Sequence, residues 1–424
     1  MIPFSGRSRM LTCFFVPRRA RRVLCSVGLI LLSCAFFTGP ATAQEQLKIP
    51  PLPGDAALPA IDAYWFPAPE RATGGAPAPV VIGLHGCSGA LDSRHRLLGR
   101  YHEMAIWLNR EGYHFLAPES FSSRGLKSIC ETPNRARTVT EADRRADVYA
   151  AVAWLRTRSD VDARRIVVLG WSHGAQTVLH SIDRSAPFVA GQAQPFRAAV
   201  AYYPGCTAIS QNPAYALSAP LLLMIGENDD WTPAAPCRDL TARLAKLPAS
   251  ASAPVEFVSY PDSYHGFDGT AEQRRRGGVG NSRSGTAMVG GTPAARTASR
   301  ERLFDYLAEQ LDRPLRLSSG ERFAVHAYRV PAASGFAPLQ DAAAVPGNAQ
   351  AQERYVRFLS LPKPRAFALS ESGGGYVAGD SADAIRQALA ACPEKQRCAL
   401  YAVDDSVVWA DDPARRMRTA QPAP

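Results

Sequence analysis

Ile166-Val167-Val168-Leu169-Gly170-Trp171-Ser172-His173-Gly174 is the stretch that decides the fold. Four consecutive apolar β-formers read as a buried strand, and Gly174 onward to residue 182 carries a helical pattern. G-x-S-x-G between a strand and a helix is a nucleophile elbow. The turn is so tight that the residues two positions either side of the serine must be small. It lifts the hydroxyl to the carboxyl edge of a sheet. The helix beneath offers free N–H groups and the positive end of its dipole. A glycine-rich turn with a serine helix cap is the plainer alternative; the buried strand in front of it favours the elbow.

Outward from the elbow, short apolar strands alternate with amphipathic helices. Strands are expected at 80–84, 114–117, 165–170, 198–203, 221–226 and 255–260. Helices are expected at 96–110, 141–158, 174–182, 236–246 and 300–311. Near-continuous apolar strands alternating with helices specify an α/β fold, a mostly parallel sheet with helices on both faces. Residues 44–60 and 67–79 are rich in Pro, Ala and Gly and read as an exposed segment and a turn. Residues 268–299 read as a long mobile loop. Past about 315 the pattern changes. Residues 316–349 read as a linker, and 350–424 as a small C-terminal α+β module. That module has a strand at 367–370, a glycine turn at 373–375, a helix near 381–392, and a hairpin about Asp404-Asp405.

A serine nucleophile needs a base, and the base needs an orienting acid. The strand at 221–226 is followed by Glu227-Asn228-Asp229-Asp230-Trp231-Thr232-Pro233. The strand at 255–260 leads into Asp262-Ser263-Tyr264-His265-Gly266-Phe267. A carboxylate and an imidazole therefore follow two strand ends in the chain order nucleophile, acid, base. The expected set is Ser172, Asp229 and His265. Asp230 competes for the acid role, or caps the helix after Pro233. Leu84-His85-Gly86-Cys87 follows the first parallel strand. Backbone N–H groups of Cys87 and His173 are the candidate oxyanion donors. His85 is expected to pack and fix its loop. Trp171 and Trp231 are expected to line the cleft, with 120–138 and 269–297 as its walls. Arg124, Lys127, Arg135 and Arg137 could meet an acidic substrate or form a solvated face.

The set HGCSG, GWSHGA, GENDDWTP and DSYHGF closely resembles the dienelactone hydrolase family of α/β-hydrolases, over about 60–315. The resemblance implies a single catalytic domain cleaving esters or lactones, with looser relatives acting on other acyl esters or on peptides. The founding members carry a cysteine nucleophile, whereas this elbow carries Ser172. That departure points to a general serine esterase, forming an acyl-serine without a cofactor or metal. A peptidase or polysaccharide esterase is the alternative within enzymes. A binding protein on an inactive hydrolase fold is the alternative outside them.

The chain has 424 residues, 46% apolar and 20% charged, which excludes a wholly disordered chain. Lys and Arg outnumber Asp and Glu by 48 to 38, but six arginines and no acid fall within residues 1–43. The remainder holds 42 against 38, too mild to argue for nucleic-acid binding. Those arginines precede the apolar residues 23–37 and a small-residue Ala41-Thr42-Ala43 end. This is a signal-peptide layout, with cleavage expected after Ala43 and a periplasmic or secreted product. The apolar run is shorter than the about 20 residues a spanning helix needs, so no lasting membrane insertion is expected. Six cysteines follow the cut, an even count that suits disulfides in an exported chain. Of 15 connectivities we expect Cys87–Cys130, Cys206–Cys237 and Cys392–Cys398. No zinc-type Cys/His spacing is seen. The expected partner is a small ester or lactone.

Overall fold

Register, more than strand content, is what gathers the functional segments. A computed structural model describes residues 44–55, 58–192, 195–393 and 396–421, and the expected leader at 1–43 lies outside them. The main sheet comprises β1 (Glu45–Ile49), β2 (Ile61–Phe66), β3 (Ala78–Leu84), β4 (His114–Glu119), β5 (Val161–Trp171), β6 (Ala198–Tyr202), β7 (Leu221–Gly226) and β8 (Val255–Tyr260). Their order is β1-β2-β4-β3-β5-β6-β7-β8, the six from β4 to β8 being mutually parallel. β2 runs antiparallel to both its neighbours. Leu84 of β3 stands beside Gly170 of β5, Trp171 beside Tyr202 of β6, and Gly226 of β7 beside Tyr260 of β8. Each strand that precedes a candidate site residue therefore ends on one edge. Ligand sites in open parallel sheets form at that edge.

Helices α1 (Gly99–Arg110), α2 (Glu141–Leu155), α3 (His173–Ser181), α4 (Ala234–Leu244) and α5 (Pro293–Gln310) pack with the sheet around one continuous core. The strands supply Val, Ile, Leu and Ala almost without interruption. β3 and β7 are buried at every residue, as strands covered on both faces must be. α2 starts where a capping box forms: Thr140 accepts from the Asp143 N–H, and Asp143 reaches back to the Thr140 N–H. This is the α/β-hydrolase architecture, with a separate small antiparallel sheet at the C-terminal end.

Two expectations required correction. Residues 45–49 are not an open segment: they form β1 and pair with β2, with Ile49 buried. The polar EQLK run hid an edge strand, whose outward residues face water. The stretch 268–299 is not one loop either. It holds a hairpin of β9 (Arg274–Gly277) and β10 (Thr286–Val289) and the first turns of α5. α5 begins seven residues before the expected 300 because Thr292 caps the Ala295 N–H and Pro293 occupies the first turn.

In the tail, α6 (Ala349–Ser360), β11 (Ala366–Ser370), β12 (Gly375–Ala378), α7 (Ala384–Ala390), β13 (Cys398–Val403) and β14 (Ser406–Val407) form a four-stranded antiparallel sheet with the helices. One apolar cluster joins α6 to the sheet and a second joins α7 to it. The expected turn at Asp404-Asp405 is present, with Asp404 at φ 48°. Asp380 of this module meets Arg296 and Arg300 of α5, and Glu103 of α1 accepts from the Ala382 N–H at 2.8 Å. The stretch expected as a linker is also tied down. Arg322 Nε donates to Glu111 at 2.6 Å, both groups being buried, and Phe323 packs on Trp107 and Phe304.

A buried ion pair that loses one partner leaves the other charge stranded. Arg322→Met is therefore expected to cost about 3–5 kcal/mol in urea unfolding. A midpoint equal to that of the parent chain would show that the pair holds nothing.

Candidate active site

Ser172 sits at φ 55° and ψ −117° between the end of β5 and the start of α3. Holding a non-glycine residue there costs on the order of 1–3 kcal/mol, so the surroundings must enforce it. They do so by closeness. A Cβ on Gly170 would lie 2.3 Å from the Gly174 carbonyl oxygen, and one on Gly174 would lie 2.2 Å from that of Leu84. Both positions have room only for hydrogen. The Ser172 N–H donates to the Tyr202 carbonyl at 2.9 Å, fixing the turn to β6.

His265 Nε2 lies 2.8 Å from Ser172 Oγ, and its Nδ1 lies 2.9 Å from Asp229 Oδ2. The other Asp229 oxygen accepts from the N–H groups of Trp231 (2.9 Å) and Thr232 (2.7 Å). Thr232 Oγ1 also donates to Oδ2 at 2.9 Å. Asp229 is 4% exposed, and these donors keep a buried carboxylate satisfied. The Tyr203 ring (4.7 Å between centroids) and the Trp231 ring (4.6 Å) pack on the imidazole. With Nδ1 facing a carboxylate, the proton belongs on Nδ1 and leaves Nε2 able to accept from the serine.

Asp230 points elsewhere. Its Oδ1 accepts from the Met288 N–H at 2.8 Å, anchoring β10, and Pro233 caps α4 without a side-chain bond. The alternative in which Asp230 caps that helix is thereby corrected: adjacent carboxylates diverge, one to the imidazole and one to the hairpin.

The Cys87 loop lies against the elbow. A Cβ on Gly86 would meet the Trp171 carbonyl oxygen at 3.3 Å and Ser172 Cβ at 3.5 Å. Among the described residues, neither the Cys87 nor the His173 N–H donates to a protein acceptor. His173 opens α3, where N–H groups lack intrahelical partners. The Cys87–Cys130 disulfide ties this loop to residues 120–138, and Cys206–Cys237 ties the loop after β6 to α4. Cys392–Cys398 closes a loop in the module. All three expected pairs are present.

Sequence reasoning missed Arg144. This α2 residue is 1% exposed, and it bonds the His85 carbonyl through Nη2 and His173 Nδ1 through Nη1, each at 2.8 Å. It braces both segments that carry the candidate oxyanion donors. Burial pulls its pKa down to about 10. Its helical position gives no signal, because an Arg144-Arg145 pair in a charged helix start reads as solvated. Arg124, by contrast, is one of the four basic residues that could meet an acidic substrate. It forms a two-point ion pair with Asp147 at 2.8 and 2.9 Å and is taken up by structure. His85 packs as expected. Nδ1 donates to the Gly86 carbonyl and Nε2 accepts from the Ser120 N–H, a neutral tautomer in keeping with a pKa held well below 6.5 by burial. Its 3.6 Å approach to Glu119 is thus no ion pair. Trp171 is 2% exposed and donates to Asp268 at 2.8 Å, whereas Trp231 is the ring against His265. Trp171, Gly266, Asp268, Arg100 and Gln387 line part of a cavity of about 270 Å³. Among the described residues there is no cluster of His, Cys, Asp or Glu able to hold a metal.

The fold and site define a hydrolase of the α/β class. Residues 62–311 match the model of the dienelactone hydrolase family, and the chain belongs to that family. No curated protein matches the sequence. Among solved structures, a candidate dienelactone hydrolase from Klebsiella pneumoniae is 20% identical, covering 63% of this chain and 99% of its own, with a TM-score of 0.45. A puromycin-hydrolyzing peptidase from Mycobacterium tuberculosis is 17% identical over 65% of this chain and 40% of its own, at 0.45. Esterase 2 of Thermogutta terrifontis, phosphoramylated by tabun, is 15% identical over 66% and 98%, at 0.43.

Burial holds His173 neutral, its pKa lowered from 6.5 to about 4, and lowers His85 in the same direction. Below pH 6.5 the unfolded chain takes up protons that the folded chain refuses, so stability must fall as pH drops from about 6.5 towards 4. Urea midpoints at pH 7, 5.5 and 4.5 should decline in that order, and less steeply in His173→Gln. A flat profile would contradict the burial of neutral imidazoles.

Proposed function

We propose that the chain is an exported serine hydrolase that cleaves an ester or lactone through an acyl-serine intermediate. The observation that carries this reading is the unbroken line Ser172 Oγ, His265 Nε2, His265 Nδ1, Asp229 Oδ2, with contacts of 2.8 and 2.9 Å at its two ends. In this reading, His265 takes the Ser172 proton as the hydroxyl attacks the carbonyl carbon, and Asp229 stabilises the resulting imidazolium. The Cys87 and His173 N–H groups receive the oxyanion. Collapse expels the alcohol, protonated by His265. Water, deprotonated by the same imidazole, then releases the acid and restores Ser172. Export is supported by the three disulfides, which suit an oxidising compartment. Among the described residues, no helix is long and apolar enough to cross a membrane.

Short chromogenic esters test the roles one by one. Ser172→Ala should abolish turnover. Asp229→Asn should lower kcat by about 10³–10⁴, the cost of mis-set tautomers. Asp230→Asn should keep kcat within about tenfold of the parent, because its contact is to the hairpin and not to the imidazole. Equal losses at the two aspartates would overturn the assignment of Asp229.

Arg144→Met should lower kcat by about 10–100-fold with little change in KM, a fraction of what loss of an oxyanion donor costs. Arg144→Lys should restore part of it. A rise in KM at constant kcat would contradict a bracing role for Arg144 on the donor loops.

A further inference from the structure

We propose that the C-terminal module braces the active site: Asp380 aims Arg296 at the loop that carries His265 and so fixes where the imidazole stands. This role rests on the triad reading, in which His265 is the base. Asp380, Arg296 and Asp268 are then positioning residues, acting through His265.

The loop after β8 is held from two sides. On the hairpin side, the Gly290 N–H donates to the His265 carbonyl and the Tyr264 N–H to the Gly290 carbonyl, each at 2.9 Å. Just past His265 the chain turns sharply. Gly266 takes φ 73°, and the Gly269 N–H donates back to the Gly266 carbonyl at 3.1 Å. A turn closed this tightly carries its two ends together, so a hold on Gly269 is a hold on His265.

Arg296 of α5 supplies that hold. Its Nη1 donates to the Gly269 carbonyl at 3.1 Å, its Nε donates to Asp380 Oδ2 at 2.7 Å, and its Nη2 reaches the same oxygen. A guanidinium is a planar fork, so fixing two of its nitrogens fixes where the third points. The carboxylate that fixes them belongs to the module, and the carbonyl at the third belongs to the base loop. Arg300 Nη1, 3.3 Å from Asp380 Oδ1, keeps that carboxylate from turning. A second tie from the module, Arg357 of α6 against Glu272, lies at the surface, where an ion pair holds little.

From Gly269 the hold passes inward through Asp268. One oxygen accepts from Tyr203 Oη and the other from Trp171 Nε1, each at 2.8 Å, and Arg100 Nη2 lies 3.2 and 3.3 Å from the pair. Tyr203 is the ring packed on the imidazole, and Trp171 is the residue before Ser172. One carboxylate therefore ties the loop of the base to the strand of the nucleophile.

The test uses the intact chain and reads three quantities: kcat and KM on short chromogenic esters, the rate of fluorophosphonate attachment to Ser172, and the urea midpoint. Asp380 sits at φ 53°, which glycine and asparagine adopt without the strain alanine would add. Asp380→Gly should lower kcat and the attachment rate together by about 10–100-fold, the cost of a misplaced base. KM should stay within about twofold of the parent, because the lost hold is felt in the transition state. Asp380→Asn keeps an acceptor for Arg296 and should recover part of the loss. Arg296→Gln leaves Asp380 its contact with Arg300 and should fold even if Asp380→Gly does not; it should show the same kcat loss. The double variant should be little worse than either single one, because both act through the Gly269 contact. Glu371→Gln, at an ion pair with Arg418 elsewhere in the module, should keep the parent kcat. The proposal is overturned if folded Arg296→Gln turns over at the parent rate, if KM rises while kcat holds, or if the two single losses multiply. A parent chain that neither turns over esters nor takes the label would overturn the hydrolase reading itself, an outcome distinct from losses confined to the variants.

Discussion

Everything at the carboxyl edge of the sheet depends on one steric constraint: the closeness of β5, α3 and the Leu84 carbonyl around Ser172. Gly170 and Gly174 permit that approach, and Ser172 is held at a positive φ because its neighbours leave the backbone no other course. The hydroxyl is thereby raised to where the loop after β8 can bring an imidazole. Relaxing the turn would move the hydroxyl and the His173 N–H together, because they are adjacent on one strained step.

A second layer keeps this step in register. The parallel pairing of β3 with β5 sets the Cys87 loop beside the elbow, and Arg144 joins the two from beneath. Disulfides on either side of the cleft hold the loops that a sheet cannot reach. Asp229 and Asp230 divide their labour in the same spirit. One is buried against the imidazole, and the other fixes the hairpin β9–β10, which continues into the stretch paired with His265. The C-terminal module is part of this frame through Asp380, which meets Arg296, and the Ala382 N–H, which donates to Glu103.

Much of this was legible in the amino-acid order. The strands at 221–226 and 255–260 are legible at their observed bounds: the first is buried throughout and reads as an unbroken apolar run, and the second is a half-buried edge strand in which Val255, Phe257, Val258 and Tyr260 outweigh Glu256 and Ser259. Ser172, Asp229 and His265 are legible because each follows a strand whose apolar residues mark it in the sequence. β1 was not, because its sequence is polar and its order comes from pairing with β2. The hairpin at 274–289 was masked by Arg, Gly and Ser. Its stability comes from distant partners, Asp230 and the Asn134–Asn281 pair, that no local pattern announces. Choosing between two neighbouring aspartates, and finding Arg144, needed three-dimensional contacts for the same reason.

Peptide mass spectrometry after reaction with a fluorophosphonate tests the central claim most directly. The account predicts one adduct per chain, carried by Ser172, and its loss in His265→Ala, where the hydroxyl has no base. An adduct on another residue, or none on a folded chain, would contradict it.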